Sequence, residues 1–228
     1  VLTYNNQICD ARFSFFFGGV VETFENVWEP VSYPYLAKVI DNDKKPADYD
    51  LDLKKEEAAE HWIRTSPPAF CNTTDKKILS QVLNDYDQET MDFYRWKVEY
   101  TQEKIADLIN TKTGIDFGQI VDLIPVERGE SGRLVRLKIF GTKNVLTIGK
   151  ELEIRRILSD SHLYSSAFVV DRHDLRGLIP QKFVLTGAGW GHGVGLCQIG
   201  AAVMGARGYN YKQILLHYFV GANSEKYW

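Results

Sequence analysis

Residues 187–222 read GAGWGHGVGLCQIGAAVMGARGYNYKQILLHYFVGA, and the reading of this stretch decides the fold. From Gly187 to Gly200 six glycines surround one histidine, one cysteine and one glutamine. Glycine costs backbone entropy and is kept where φ must be positive or where another group must approach the main chain closely. Beyond this run the period becomes helical. Leu196, Ile199, Gly200 and Val203 share one face, and Tyr211, Ile214, Leu215 and Tyr218 repeat the i, i+3, i+4, i+7 spacing. Gly208 between them suits a helix C-cap. The stretch predicts a glycine loop holding His192, a helix starting near Cys197 and Gln198, a short turn and a second helix.

Working outward, Val1–Tyr4 and Gln7–Phe13 flank Asn5-Asn6, a two-residue hairpin signal, and Phe15 to Phe17 lead into a Gly18-Gly19 turn. Tyr35–Ile40 is a short helix candidate, residues 42–55 a solvated loop, and Glu56–Arg64 a helix stopped by Ser66-Pro67-Pro68. Phe93–Tyr100 has strand character, and Thr101 can cap a helix that turns Ile105, Leu108 and Ile109 to one side. Strands follow at Ile120–Val126, Leu134–Phe140, Val145–Ile148, Phe168–Val170 and Phe183–Leu185, with a helix over Leu152–Leu158. Strands and helices mix without regular βαβ alternation, which predicts an α+β fold with an antiparallel-rich sheet and a C-terminal helix pair.

Composition narrows the rest. At 228 residues and 44% hydrophobic, the chain can bury the core of one domain carrying an insert. Its net charge of −3, with interspersed signs, leaves no footprint for nucleic acid. No apolar run nears the roughly 20 residues that span a bilayer. Cys9, Cys71 and Cys197 form an odd set without CxxC spacing, so they indicate neither a zinc ribbon nor a disulfide framework, and one disulfide between two of them stays open. His61, His162, His173 and His217 lack ligand-like spacing and read as surface or satisfied core histidines.

The run Gly187 to Gly200, followed by Tyr211, Ile214, Leu215 and Tyr218, resembles the C-terminal signature of the stage II sporulation protein D family, also called the amidase-enhancer (LytB-type) family. Gly18-Gly19-Val20-Val21-Glu22 with Val27-Trp28 and Pro34-Tyr35-Leu36 is similar to the family's GG…E…VW and PYL elements. Ser131-Gly132-Arg133 with Leu137, Ile139 and Gly141 is similar to its SGR strand pair, and Arg155-Arg156, Ser165 and Phe168 to its RR…S-x-x-F element. Coverage is nearly end to end, with residues 43–90 read as an insertion in a single amidase-enhancer-type domain spanning 1–228. Two departures stand out. The family's upstream helix of EALKAQA type, whose glutamate is its proposed catalytic acid, has no counterpart here, so the domain reads as N-terminally incomplete. Ala11 to Phe17 also lacks the His and Cys that bind zinc beside the GG element in some members, so no metal and no cofactor is expected.

What the resemblance implies is a peptidoglycan-processing domain outside the cytoplasm, in the periplasm or cell envelope. It would act on denuded glycan strands as a lytic transglycosylase does, or serve as a non-catalytic wall-binding module that enhances an N-acetylmuramoyl-L-alanine amidase. In the first reading a buried, protonated glutamic acid drives the cleavage, and this chain supplies the opposite wall of the cleft. His192 and Gln198 are the candidate catalytic residues. Gly18, Gly19, Glu22, Trp190, Gly191, Gly193 and Cys197 are the candidate substrate-binding residues. Each has a plainer reading beside it. The loop can be a tight strand-to-helix turn, His192 and Gln198 can satisfy backbone, Glu22 can be solvated, Arg133 can be a hairpin turn residue, and the aromatics, Trp28 and Trp190 among them, can be core. A third reading pairs Cys197 as nucleophile with His192 as base, helped by a helix N-terminus. Partners expected are glycan strands and a cell-wall amidase, with no nucleic acid.

Overall fold

A computed structural model describes residues 1–83 and 92–226. Within them the strands are β1 (Leu2–Tyr4), β2 (Gln7–Ile8), β3 (Phe13–Ser14), β4 (Arg95–Thr101), β5 (Ile120–Arg128), β6 (Leu134–Gly141), β7 (Val145–Ile148), β8 (Phe168–His173), β9 (Lys182–Ala188), β10 (Leu196–Cys197) and β11 (Asn223–Ser224). The helices are α1 (Phe24–Val27), α2 (Glu56–Arg64), α3 (Lys76–Val82), α4 (Gln102–Thr113), α5 (Glu151–Ile157), α6 (Gln198–Ala206) and α7 (Tyr211–Tyr218). The fold is α+β. All strand pairs but one, β3 with β10, are antiparallel.

Contacts divide the chain into two compact units, each built from separated segments. One comprises Asp50–Thr65 and Arg95–Ala188. It holds the sheets β4-β9-β8 and β5-β6-β7, with a core of Trp96, Ile105, Ile109, Phe117, Leu137 and Phe168 among others. Thr101 caps α4 by accepting from the Lys104 N–H at 3.2 Å, and Gly114 ends it in the left-handed region, as the sequence indicates. Gln102, at the seam between β4 and α4, is buried and fully engaged. Its amide donates to the Ile120 and Pro180 carbonyls and accepts from the Ile120 N–H. Arg128 is also buried and grips Glu56 of α2 through two bonds of 2.6 Å, while donating to the Gly132 and Phe168 carbonyls. Arg133 sits at the β5–β6 turn but is almost fully buried, its guanidinium donating to Ser131 Oγ at 3.0 Å.

The other unit comprises Val1–Tyr49, Ser66–Tyr94 and Gly189–Trp228. Asn5 and Asn6, at φ 49° and 63°, make the expected tight turn between β1 and β2, and β1 also pairs β11. The second strand is shorter than the sequence suggests and ends at Ile8. Tyr35–Ile40 is not helical. Val39 and Ile40 are β-branched and pair as extended chain, the Val39 carbonyl accepting from the Val21 N–H and Ile40 bridging Val20. Leu196, read as the first residue of a helical face, belongs to β10, and Cys197 caps α6 through its sulfur. Of the 43–90 stretch, residues 84–90 lie outside the described residues. The remainder contributes α2 to one unit and α3 to the other. Among the described residues no helix is long and apolar enough to cross a membrane.

Candidate functional site

Two glycine-rich turns from opposite ends of the sequence meet in the second of these units. Residues 13–22 are fastened to 190–197 at three points. Phe16 and Trp190 exchange backbone bonds of 3.1 and 2.8 Å, the Glu22 N–H donates to the Gly193 carbonyl at 2.8 Å, and β3 pairs β10 in parallel. The glycines permit this. Gly189, at φ +76°, has no room for a Cβ, which would lie 2.7 Å from the Phe16 carbonyl and 2.8 Å from the Gly18 nitrogen. At Gly195, φ +81°, a Cβ would overlap the Arg12 carbonyl. These glycines therefore serve main-chain packing between two distant segments.

That role changes what several candidate residues can do. Gly18, Gly19 and Gly193 are buried. Gly193 donates its N–H to Ser14 Oγ, and its carbonyl accepts from the Glu22 N–H. Trp190 is flanked by Phe15 at 4.7 Å and Phe93 at 4.6 Å, both nearly parallel to it. Trp190 is therefore the middle ring of a three-ring stack, and it stays partly exposed. Glu22 is fully buried, its Oε1 accepting from the Thr23 N–H and from Asn26 Nδ2. Cys197 is fully buried, its sulfur donating to the Phe15 carbonyl and accepting from the Gly200 N–H, both at 3.4 Å. A thiol so placed is closed to a substrate, which removes the nucleophile reading.

His192, Gly191 and Gln198 remain part-exposed. His192 Nδ1 accepts from the Val194 N–H at 3.0 Å, which assigns the neutral ring its proton on Nε2 and makes that nitrogen a donor. The ring packs against Trp28 at 4.8 Å. Trp28 in turn carries the Arg12 guanidinium 4.7 Å from its ring centre, a cation–π contact, with Arg12 also bound to Asp10. Composition gave no signal for Arg12; only the fold, which lays it over Trp28 and Phe24, shows it as part of this strip. Arg12 and Gln198 also line an apolar cavity of about 300 Å³ with Leu2, Phe13, Leu196 and Phe219. The surface thus combines a fixed cation, an N–H donor, an amide and aromatic area, which suits an anionic carbohydrate.

Beneath it lies a closed cluster that spacing in sequence does not relate. Asp41, Cys71 and Cys197 converge so that one donor atom of each lies within 4.8 Å of the others, all three fully buried. Tyr218 donates to Asp41 Oδ1 at 2.5 Å and the Cys71 N–H donates to Oδ2 at 3.0 Å. Burial pushes the Asp41 carboxyl up to about 6, opposed by the hydrogen bonds from Cys71 and Tyr218. Burial likewise drives the Cys71 thiol and the Tyr218 phenol well above their ordinary ranges.

Comparison with known proteins gives two results. The whole chain aligns at 23% identity with an amidase enhancer of Bacillus subtilis (strain 168), spanning 31% of that protein's length. This likeness covers the chain from end to end and agrees with the amidase-enhancer resemblance read from the motifs. Residues 22–195 match the family described as a domain of unknown function, DUF8618, and this chain belongs to that family.

Proposed function

We propose that this chain is a wall-binding domain of the amidase-enhancer kind, which holds peptidoglycan glycan outside the cytoplasm and so assists a cell-wall amidase. The observation that carries this reading is the alignment of the entire chain with an amidase enhancer. The strip formed by Arg12, Trp28 and His192 supports it, because a guanidinium and an imidazole N–H beside aromatic surface match a sugar bearing a carboxylate. Lytic cleavage of denuded glycan is the second reading, favoured by the family signature around His192 and Gln198. It requires a positioned proton donor, worth roughly 10²–10⁴-fold in rate. Glu22, the candidate carboxyl in this chain, is sealed in and already accepts two hydrogen bonds. The acid for that chemistry would then come from outside these residues.

The test uses purified peptide-free glycan and intact wall. The chain is expected to co-sediment with both and to raise the rate of an added amidase on the wall, while releasing no 1,6-anhydro products by itself. Binding without stimulation of any cell-wall amidase would leave a glycan-binding module and remove the enhancer role. Release of anhydro products by the chain alone, abolished by Glu22→Gln, would place the acid here and establish the lytic reading.

A further inference from the structure

The cluster beneath the strip has a charge problem. Asp41, Cys71, Cys197 and Tyr218 all ionise to anions, all are buried, and among the described residues none forms an ion pair with a lysine, arginine or histidine. A buried carboxylate without a counter-charge is costly, and the ordinary remedies are protonation or a bound cation. Geometry favours the cation. Three donor atoms within 4.8 Å of one another fit around a single ion, since metal–sulfur bonds near 2.3 Å and metal–oxygen bonds near 2.0–2.2 Å set donors about 3.5–4 Å apart.

The surroundings are arranged as they are around a ligated thiolate and carboxylate. Cys197 is the N-cap of α6, and its sulfur accepts the Gly200 N–H, a position where the helix dipole and free N–H groups stabilise negative sulfur. Ligation would release the Cys197 thiol proton to solvent and replace its hydrogen bond to the Phe15 carbonyl with a sulfur–metal bond. Asp41 is oriented from both sides, by the Tyr218 hydroxyl and by the Cys71 N–H, as outer-shell partners orient a ligating carboxylate. Gly200 keeps the helix close, because a Cβ there would overlap the Tyr218 hydroxyl and reach 2.6 Å from Asp41 Oδ1. We propose that Asp41, Cys71 and Cys197 form a structural site for a thiophilic divalent ion of the zinc class, with the Tyr218 hydroxyl holding the Asp41 carboxylate in place. Two sulfurs with one or two oxygens in a closed pocket select zinc over hard ions such as magnesium or calcium. The site is separate from the Ala11–Phe17 stretch, and it ties together three segments more than 25 residues apart in sequence.

The experiment is metal analysis of the reduced 228-residue chain after exhaustive dialysis, with cobalt(II) substitution as a spectroscopic readout. About one zinc per chain is expected, together with a thiolate-to-cobalt charge-transfer band and a lower unfolding temperature after chelation. Cys71→Ser and Cys197→Ser should each bind at least about tenfold more weakly, whereas Cys9→Ser should match the parent. Should the serine variants fail to fold, the parent chain still decides the matter through its stoichiometry and its cobalt band. A folded, reduced parent that takes up neither ion overturns the proposal. So does a Cys71–Cys197 disulfide in protein isolated without reductant, if its reduced form binds no metal.

Discussion

His192 accepts a main-chain hydrogen bond at Nδ1, which puts the neutral ring's proton on Nε2, and the consequences can be measured. His192→Ala should leave stability nearly unchanged and weaken retention of peptide-free glycan by about tenfold, the worth of one hydrogen bond to a charged or strongly polar group. Arg12→Ala should weaken it similarly and make the remainder less dependent on salt, since the cation is then gone. Equal affinity of both variants and the parent, by isothermal titration, would remove the strip from the binding surface. Gly195→Ala behaves differently. Its φ of +81° and the Arg12 carbonyl leave no place for a methyl group, so we expect a loss of about 2–4 kcal/mol in denaturant unfolding. Residue-scale reading from sequence finds the glycines and His192 but not the main-chain packing that Gly189 and Gly195 serve. A glycine that admits a ligand and one that admits a neighbouring strand look identical in sequence. Nor does the sequence show the stack around Trp190, because its flanking rings, Phe15 and Phe93, are far off in the chain.

At the scale of elements the sequence was more legible. Local signals govern α2, α4 and α5: apolar spacing, the Thr101 cap, the Gly114 stop and the proline pair after Arg64 all act within a few residues. Tyr35–Ile40 was misread because its partners, Val20 and Val21, are set by tertiary pairing that outweighs a weak helical pattern. One element contact gives a pH prediction. Arg64 of α2 holds both carboxylate oxygens of Asp171 on β8, at 2.9 and 2.6 Å, and lowers that carboxyl below its ordinary range. A depressed folded value means that the unfolded chain binds this proton more readily. The stabilisation is therefore complete above the unfolded value of 3.8 and is lost as pH falls through the lowered folded value. Asp171→Asn should be less stable near neutrality and should show a shallower decline below about pH 4. Parallel decline of variant and parent in acid unfolding curves would mean that the pair is screened away, as exposed pairs often are.

For the whole molecule, the chain leaves one unit at Thr65 and returns to it at Arg95, and these two residues touch, Arg95 Nε donating to the Thr65 carbonyl at 2.7 Å. A few glycines and serines can therefore replace residues 66–94 in a 50–188 fragment. Such a fragment retains the core around Ile105, Phe117 and Phe168, and it should unfold cooperatively in urea. A non-cooperative, molten response would show that this unit does not stand alone. The other unit has no such economy. Ser14 bonds Gly193 across 179 residues and Phe15 bonds Cys197 across 182, so the surface around His192 is made from segments far apart in the chain. During vectorial synthesis its earlier segment must wait until residues 189–197 have been made. Contacts of such long range are slow to close. The aromatic run Phe15-Phe16-Phe17 is then a segment that a chaperone's cover would protect, and a ribosome stalled before residue 190 would carry a chain in which Phe16 still lacks its Trp190 partner.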